Sequence, residues 1–260
     1  MPDADLSHIA LLAGRLADAS GRVIRQHFRT PVTVDYKADL SPVTIADRDA
    51  EKAIRDILAD ERPDDGIIGE EFGKSSEASE FVWVIDPIDG TKSFIAGRPI
   101  FGTLIALVQN SSPVLGVIDQ PVNRERWIGV HGAGTKLNGR PVSVGECKTI
   151  ADATVATTSP DLFDTSEKLL WQDIASKAKQ AVYGGDCYSY ALLASGFIDV
   201  VVETGLQKYD YCALAPVVEE AGGVISDWQG NPLTIESDGS VLACGDERLH
   251  AEVLKILTGV

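Results

Sequence analysis

The residues of this chain best suited to chemistry lie in Asp86-Pro87-Ile88-Asp89-Gly90-Thr91, where two carboxylates three residues apart end an apolar run from Phe81 to Ile85. Hard carboxylate oxygens are the donors Mg²⁺ prefers. Gly90 and Thr91 follow at once, and backbone N–H groups at a helix start suit an anion such as phosphate. Gly90 has no Cβ, so the backbone there can approach such a group closely. One short loop thus offers both halves of a metal-assisted phosphate site. Upstream, Ile67-Ile68-Gly69-Glu70-Glu71 repeats the pattern of an apolar strand ending in acid. Glu70, Asp86, Asp89 and Asp210 all stand at the ends of apolar strands or the starts of helices, from where distant carboxylates can converge on one rim of a fold. Any one of them alone reads equally as a helix cap or a surface acid. Asp47 is the plainest case, because Thr44 and Asp47 ahead of a helix form a capping pair in many proteins.

The elements that must position these acids are legible in outline. Asp5 to Phe28 places Leu6, Ile9, Ala13, Leu16, Ala17, Val23, Ile24 and Phe28 at helical intervals. Val32 to Tyr36 alternates like an edge strand, and Ser41-Pro42-Val43-Thr44 leads into a helix over Asp47 to Ala59. Strands are predicted at Ile67–Ile68, Phe81–Ile85, Thr103–Val108, Val114–Ile118 and Arg126–Val130, joined as a mostly antiparallel meander. After about residue 145 strands and helices alternate: strand Val155–Thr158, helix Ser166–Lys179, short strand Val182–Tyr183, helix Asp186–Ser195 and strand Ile198–Glu203. A helix Tyr211–Ala221, strands Val224–Ser226 and Ser240–Cys244, and a helix Ala251–Leu257 complete the chain. The expected architecture is a layered α+β / α/β sandwich. Residues 1–145 form a mostly antiparallel N-terminal subdomain with most of the acids; 146–260 form a smaller α/β subdomain carrying Asp210.

Composition excludes several classes. The 260 residues are 44% hydrophobic and 24% charged, which fits one compact unit rather than a disordered chain. The longest apolar runs fall far short of the ~20 residues of a membrane helix. The acidic start, Met1-Pro2-Asp3-Ala4-Asp5, has no signal-like core, so a cytoplasmic protein is expected. Cys147, Cys187, Cys212 and Cys244 are scattered without Cys-x-x-Cys spacing, and reduced buried thiols are the simpler account. A net charge of −16 leaves no basic surface for nucleic acid. It would also repel a phosphate ester, unless bound divalent cations reverse the field locally.

Glu70-Glu71, Asp86-Pro87-Ile88-Asp89-Gly90-Thr91, Tyr209-Asp210 with Ala213, and Ala221-Gly222-Gly223 resemble the inositol monophosphatase family, from about residue 41 to 227 and in the family's order. Tyr209 departs from the Trp of many members but stays aromatic. The resemblance implies a homodimeric, metal-dependent phosphomonoesterase with two or three Mg²⁺ per site, and the apolar middle strands could supply the dimer interface. It implies one Mg²⁺ on Glu70, Asp86 and the Ile88 carbonyl, and another on Asp86, Asp89 and Asp210. Asp47 and Thr91 would orient the attacking water, with Glu70 beside them in the catalytic group. Gly90 and Thr91 would hold the phosphate, and Asp186, Glu203 and Asp210 the rest of the substrate. Metals in such a site activate water, neutralise phosphate and stabilise the departing alkoxide.

The substrate is narrowed by the second half. Thr157-Thr158-Ser159-Pro160, Tyr183-Gly184-Gly185-Asp186-Cys187-Tyr188-Ser189-Tyr190-Ala191 and Gly196 to Glu203 resemble the histidinol-phosphatase branch of the family. Histidinol phosphate carries an ammonium and an imidazole, for which Asp186 and Glu203 would be anionic partners. Asp186 reads about as well as a helix cap. Glu203 contacts polyols in other members, so it does not discriminate. Tyr188, Tyr190 and Tyr211 read as core or interface residues rather than ligand stackers. An inositol or broad-range sugar phosphatase, and a regulatory binding protein with a vestigial site, remain the alternatives, with a nucleotide-bisphosphate phosphatase a further option for which the chain shows no basic cluster to take a second phosphate.

Overall fold

The computed structural model describes residues 3–31, 33–36, 42–75 and 79–259. Val32 and Ser41, at the starts of the expected edge strand and helix lead-in, lie outside them. The chain opens with helix α1 (Asp3–His27), strands β1 (Val34–Tyr36) and β2 (Pro42–Thr44), and helix α2 (Ile45–Glu61). It continues through β3 (Gly66–Gly69), β4 (Gly73–Ser75), β5 (Phe81–Asp89) and a short helix α3 (Thr91–Ile95). Strands β6 (Gly102–Gln109), β7 (Ser112–Gln120), β8 (Glu125–Val130), β9 (Gly134–Leu137) and β10 (Arg140–Pro141) then run as a meander. The second half holds β11 (Thr154–Thr157), α4 (Thr165–Lys177), β12 (Gln180–Tyr183), α5 (Cys187–Leu193) and β13 (Val200–Glu203). It ends with α6 (Lys208–Tyr211), α7 (Leu214–Glu219), β14 (Val224–Ser226), β15 (Val241–Cys244) and α8 (Glu247–Thr258).

Among the described residues β3 to β10 form an eight-stranded sheet in the order β10-β9-β8-β7-β6-β5-β3-β4. Each pair is antiparallel except β3 with β5. A second sheet runs β12-β11-β13-β15-β14, with β11 parallel to both neighbours. The result is the expected layered α/β architecture, here with helices outside and between two sheets. α1 and α2 cover the outer face of the first sheet, where Leu12, Leu16 and Ile54 pack on Trp83, Ile85, Ile105 and Leu107. α5, α6 and α7 lie between the sheets, against Val82, Val84 and Leu104 of one and Ala156, Val201 and Ala243 of the other. α4 and α8 close the far side over Val155, Val200, Val202 and Leu242. Strands β5 and β6 read as unbroken apolar runs for this reason: both of their faces are buried, so the usual alternation with polar residues is lost.

That burial corrects one expectation. The apolar strands β5 and β6 are covered on both faces by helices of their own chain, so neither face of these two strands is free for a second copy. A second correction concerns the helix expected over Tyr211–Ala221, which is two short helices broken at Cys212 and Ala213. Pro216 has no N–H to offer the Cys212 carbonyl, and its ring would collide with it, so a single helix cannot pass. The cysteines are free and buried, as read, and no helix among the described residues is long and apolar enough to cross a membrane.

The inner helices come very close to the first sheet. A Cβ at Gly116 would stand 2.1 Å from the Ala213 carbonyl oxygen, and one at Gly129 2.3 Å from that of Pro216. The Glu220 carboxylate, just past α7, accepts from Gly132 N and Gly134 N at 2.9 Å each. The Thr135 hydroxyl donates to Val217 O at 2.8 Å. Glycine on β7 and β8 thus sets the height at which α6 and α7 ride over the sheet. Gly116→Ala is expected to destabilise the protein by roughly 1–3 kcal/mol through overpacking. It should also weaken divalent-cation binding by lifting Asp210. Thermal unfolding and cation titration of this variant check both effects.

Candidate active site

Strand β5 aims its two aspartates by an irregularity. Val82 and Val84 face the inner helices while Trp83 and Ile85 face α1 and α2. Asp86, with the parity of Val84, therefore points inward. In an unbroken strand Asp89 would point to the opposite face. Its register instead shifts between Asp86 and Asp89, and a bulge of this kind re-aims the side chains beyond it. Asp86 Oδ1 accepts from Ile88 N at 2.9 Å, and the Thr103 hydroxyl donates to Pro87 O at 2.8 Å, so the bulge is held from both sides. Ile88 packs its side chain with Ile24, Ala46, Phe94 and Phe101.

Asp210 reaches the same place on α6, which lies over β5 and β6. One oxygen each from Asp86, Asp89 and Asp210 lie within 4.8 Å of one another, a group that could hold a metal ion. Glu70 adjoins it, since its N–H donates to Ile85 O at 3.1 Å and its carboxylate is hydrogen-bonded to Asp86. Asp47 is buried near Glu70, and its Oδ2 accepts from Thr44 N at 2.7 Å and from the Thr44 hydroxyl at 2.6 Å. The capping pair is therefore real, and its acid also lies at the edge of the cluster.

The electrostatics of the cluster are those of acids forced together. Burial, then Glu70, Asp89 and Asp210, push the Asp86 carboxyl well above the ordinary range. Burial, then Asp186 and Asp210, do the same to Asp89, against the bond it accepts from Cys187. Asp210 rises by burial with Glu70 adding, and Asp47 likewise. The neighbours that act on Asp86, Asp89 and Asp210 are other acids and neutral donors, not lysine or arginine. An all-oxygen set of acids, with Asp86 buried and Asp89 and Asp210 half-buried, and without a cationic side chain, is the donor chemistry of Mg²⁺ or a similar hard ion, and the residues fit such a group.

Gly90 follows at φ 87°, a left-handed conformation, and caps α3, whose first residue is Thr91. The amides of that first turn have no intrahelical partner. The Thr91 hydroxyl donates to Ile88 O at 3.1 Å. A Cβ at Gly90 would lie 2.7 Å from Asp186 Oδ2, so Asp186 stands directly against the phosphate-type loop. Asp186 occupies the N-cap position of α5 but its side chain does not cap the helix. Asp89 does so from across the site, accepting from Cys187 N at 2.6 Å. The Asp186 carboxylate instead accepts from the Ser93 hydroxyl at 3.1 Å, with Arg98 and Lys92 opposing the rise that burial imposes. Its backbone sits at φ 46°, ψ −134°, a region that residues other than glycine rarely enter.

Glu203 is buried at the end of β13, accepting from Thr158 N at 2.9 Å and from the Tyr190 hydroxyl at 3.1 Å. Burial pushes its carboxyl up to about 7. Tyr190 and Tyr211 are core residues, and Tyr188 packs half-buried against the core; the Tyr188 and Tyr211 hydroxyls donate to Glu125 and to Ser237 O. Sequence reasoning missed Ser93, which orients Asp186, and Glu51, whose buried carboxylate accepts from Glu71 N at 2.7 Å. A signal for Glu51 was present: it lies four residues after Asp47, on the buried face of α2.

A layered α/β fold that converges its acids beside a glycine-started helix turn defines a metal-dependent phosphatase. The chain belongs to the inositol monophosphatase family, whose model matches residues 5–259. It is 47% identical over 266 residues to the bifunctional phosphatase IMPL2, chloroplastic, of Arabidopsis thaliana, covering 99% of this chain and 77% of that one. It is 38% identical over 234 residues to a histidinol-phosphatase of Chlorobaculum parvum, covering 89% and 90%. The solved structure of an inositol monophosphatase from Zymomonas mobilis superposes with a TM-score of 0.90 at 48% identity, covering 97% and 98%.

Acids raised by burial make stability pH-dependent with a definite sign. The unfolded chain ionises Glu203 in the ordinary carboxylate range, and the folded protein does so only near 7. Without metal, stability is therefore expected to fall as pH rises from about 4.5 to about 7. A divalent cation needs the ionised ligands, so its stabilising effect grows over the same span. Melting temperatures at pH 5.5 and 8, in chelator and in Mg²⁺, check this: the Mg²⁺-induced rise should be larger at pH 8. Asp86→Asn should abolish that rise, yet leave the metal-free protein as stable or more so, because it removes a mutually repelled charge.

Proposed function

We propose that this protein is a Mg²⁺-dependent phosphomonoesterase that hydrolyses L-histidinol phosphate to L-histidinol and phosphate, a reaction of histidine biosynthesis, in the cytoplasm. The observation that carries the substrate assignment is Asp186. An acid placed against Gly90 is a partner for a cationic group beside the phosphate, and histidinol phosphate has an ammonium within a few bonds of its phosphate. The backbone at Asp186 is strained by roughly 1–3 kcal/mol, a cost that such residues bear chiefly at functional sites. Ser93 holds the carboxylate in place. The name of the Chlorobaculum relative supports the same reading.

In this reading Glu70, Asp86 and the Ile88 carbonyl hold one Mg²⁺, and Asp86, Asp89 and Asp210 a second. When bound, the cations neutralise the phosphate, lower the pKa of the attacking water and stabilise the leaving alkoxide. Gly90 and Thr91 present first-turn amides to the phosphate oxygens. Thr91 and Asp47 orient the water, and Asp47, less acidic than usual because it is buried, can take its proton. Glu203 and Asp210 face the substrate body. With Glu203 held by Tyr190 and Thr158, its position does not depend on the substrate arriving. A second reading, inositol monophosphatase, is favoured by the name of the Zymomonas structure at 48% identity. The word bifunctional in the name of the Arabidopsis relative is compatible with both.

The test is phosphate release with Mg²⁺ from L-histidinol phosphate and from myo-inositol 1-phosphate. A kcat/KM ratio of about 100 for the first corresponds to roughly 2.7 kcal/mol of discrimination. Equal or reversed rates would discard the histidinol assignment and favour the second reading. Asp186→Asn should lower kcat/KM for histidinol phosphate about 10- to 100-fold, the worth of one charged hydrogen bond. Turnover of inositol phosphate should change little.

A further inference from the structure

Helix α2 carries two buried acids one turn apart, and only Asp47 has a part in the reaction above. The Glu51 side chain is completely buried, on the helix face shared with Ala50, Ile54 and Leu58. It accepts from Arg55 Nε at 2.7 Å, from Glu71 N at 2.7 Å and from Phe72 N at 3.3 Å. Arg55 in turn donates through Nη2 to Gly73 O at 2.5 Å, and its guanidinium lies 6.0 Å from the Phe72 ring centroid. Gly69 is pressed against the same carboxylate, for a Cβ there would fall 1.9 Å from Glu51 Oε1. The segment from Gly69 to Gly73 is thus gripped by α2 at two amides and one carbonyl. Gly69 also pairs with Gly73 and with Ile85, and Glu70 N donates to Ile85 O, on the strand that carries Asp86.

A buried ion pair is a poor stabiliser, because desolvation cancels most of the attraction and apolar residues would pack as well. What Glu51 supplies that an apolar residue cannot is a pair of acceptors that fix the loop bearing Glu70. We infer that Glu51 is a positioning residue that aims Glu70 at Asp86 and so sets the affinity of the site for its divalent cation. The inference rests on the reading of Glu70 as a metal ligand. Groups that hold a ligand in place, without touching the metal, typically change affinity or activity 10- to 100-fold when lost.

Two variants test it on the full chain. Glu51→Gln keeps the shape but loses the charge opposite Arg55. The double change Glu51→Met with Arg55→Met removes the pair without leaving a buried orphan charge. Mn²⁺ binding is followed by the electron paramagnetic resonance of the free ion, which needs no substrate. The Mg²⁺ concentration giving half-maximal hydrolysis of p-nitrophenyl phosphate is measured beside it, with folding checked by circular dichroism. Both variants should be folded, bind Mn²⁺ 10- to 100-fold more weakly and need correspondingly more Mg²⁺, with kcat at saturating metal changed less. Unaltered Mn²⁺ affinity in folded variants, even at a lower melting temperature, overturns the inference and leaves Glu51 a structural residue. Glu70→Gln is the control on the underlying reading: if it binds Mn²⁺ as the unaltered protein does, Glu70 is not a ligand and both statements fall.

Discussion

Asp86, Asp89 and Asp210 bring carboxylate oxygens within 4.8 Å of one another inside the protein, where like charges interact strongly. Such a group favours its protonated form: burial first, and then the neighbouring acids, raise the carboxyls of Asp86 and Asp89. Most of the surrounding structure serves to hold it closed. The β5 bulge turns Asp89 to the side of Asp86, and the glycine floor of β7 and β8 lets α6 deliver Asp210 from the other half of the chain. α2 adds Asp47 and, through Glu51, the loop of Glu70. Packing of apolar faces provides the energy, because the strands and helices that carry the acids are buried on almost every side.

The same arrangement explains why the substrate side of the site is made of held rather than free groups. Asp89 caps α5 while belonging to the cluster, so the helix that begins beside Asp186 is locked to the acids. Asp186 has a strained backbone and its carboxylate accepts from Ser93, while the Glu203 carboxylate is held by Tyr190 and the Thr158 amide. Local rules of backbone preference and charge separation are broken together at one place, which is where a fold spends its stability on function.

Much of the site was legible because its residues are contiguous or stand at element ends. Asp86 to Thr91 could be read as a unit, since a carboxylate pair followed by glycine and threonine has few purely structural uses. Glu51 was passed over despite its place four residues after Asp47, since an acid on a helix looks solvated until the helix face is known to be buried. The apolar strands β5 and β6 were misread as a surface for a second copy. Unbroken hydrophobicity shows that both faces are covered but not by what, and here helices of the same chain do it. The helix across Pro216 failed for a local reason that the proline itself announced.

The sequence by itself determined the chemistry: which acids end strands, where the backbone can approach an anion, and the family to which those motifs belong. These follow from residue type and short spacing, which survive in one dimension. Only the tertiary structure decided that Asp89 faces the same side as Asp86, that Asp186 leaves its helix uncapped to stand against Gly90, and that Glu51 props the Glu70 loop. Each depends on a bulge, a strained backbone or a contact across about 20 to 100 residues, and such long-range geometry is set by packing rather than by any local pattern.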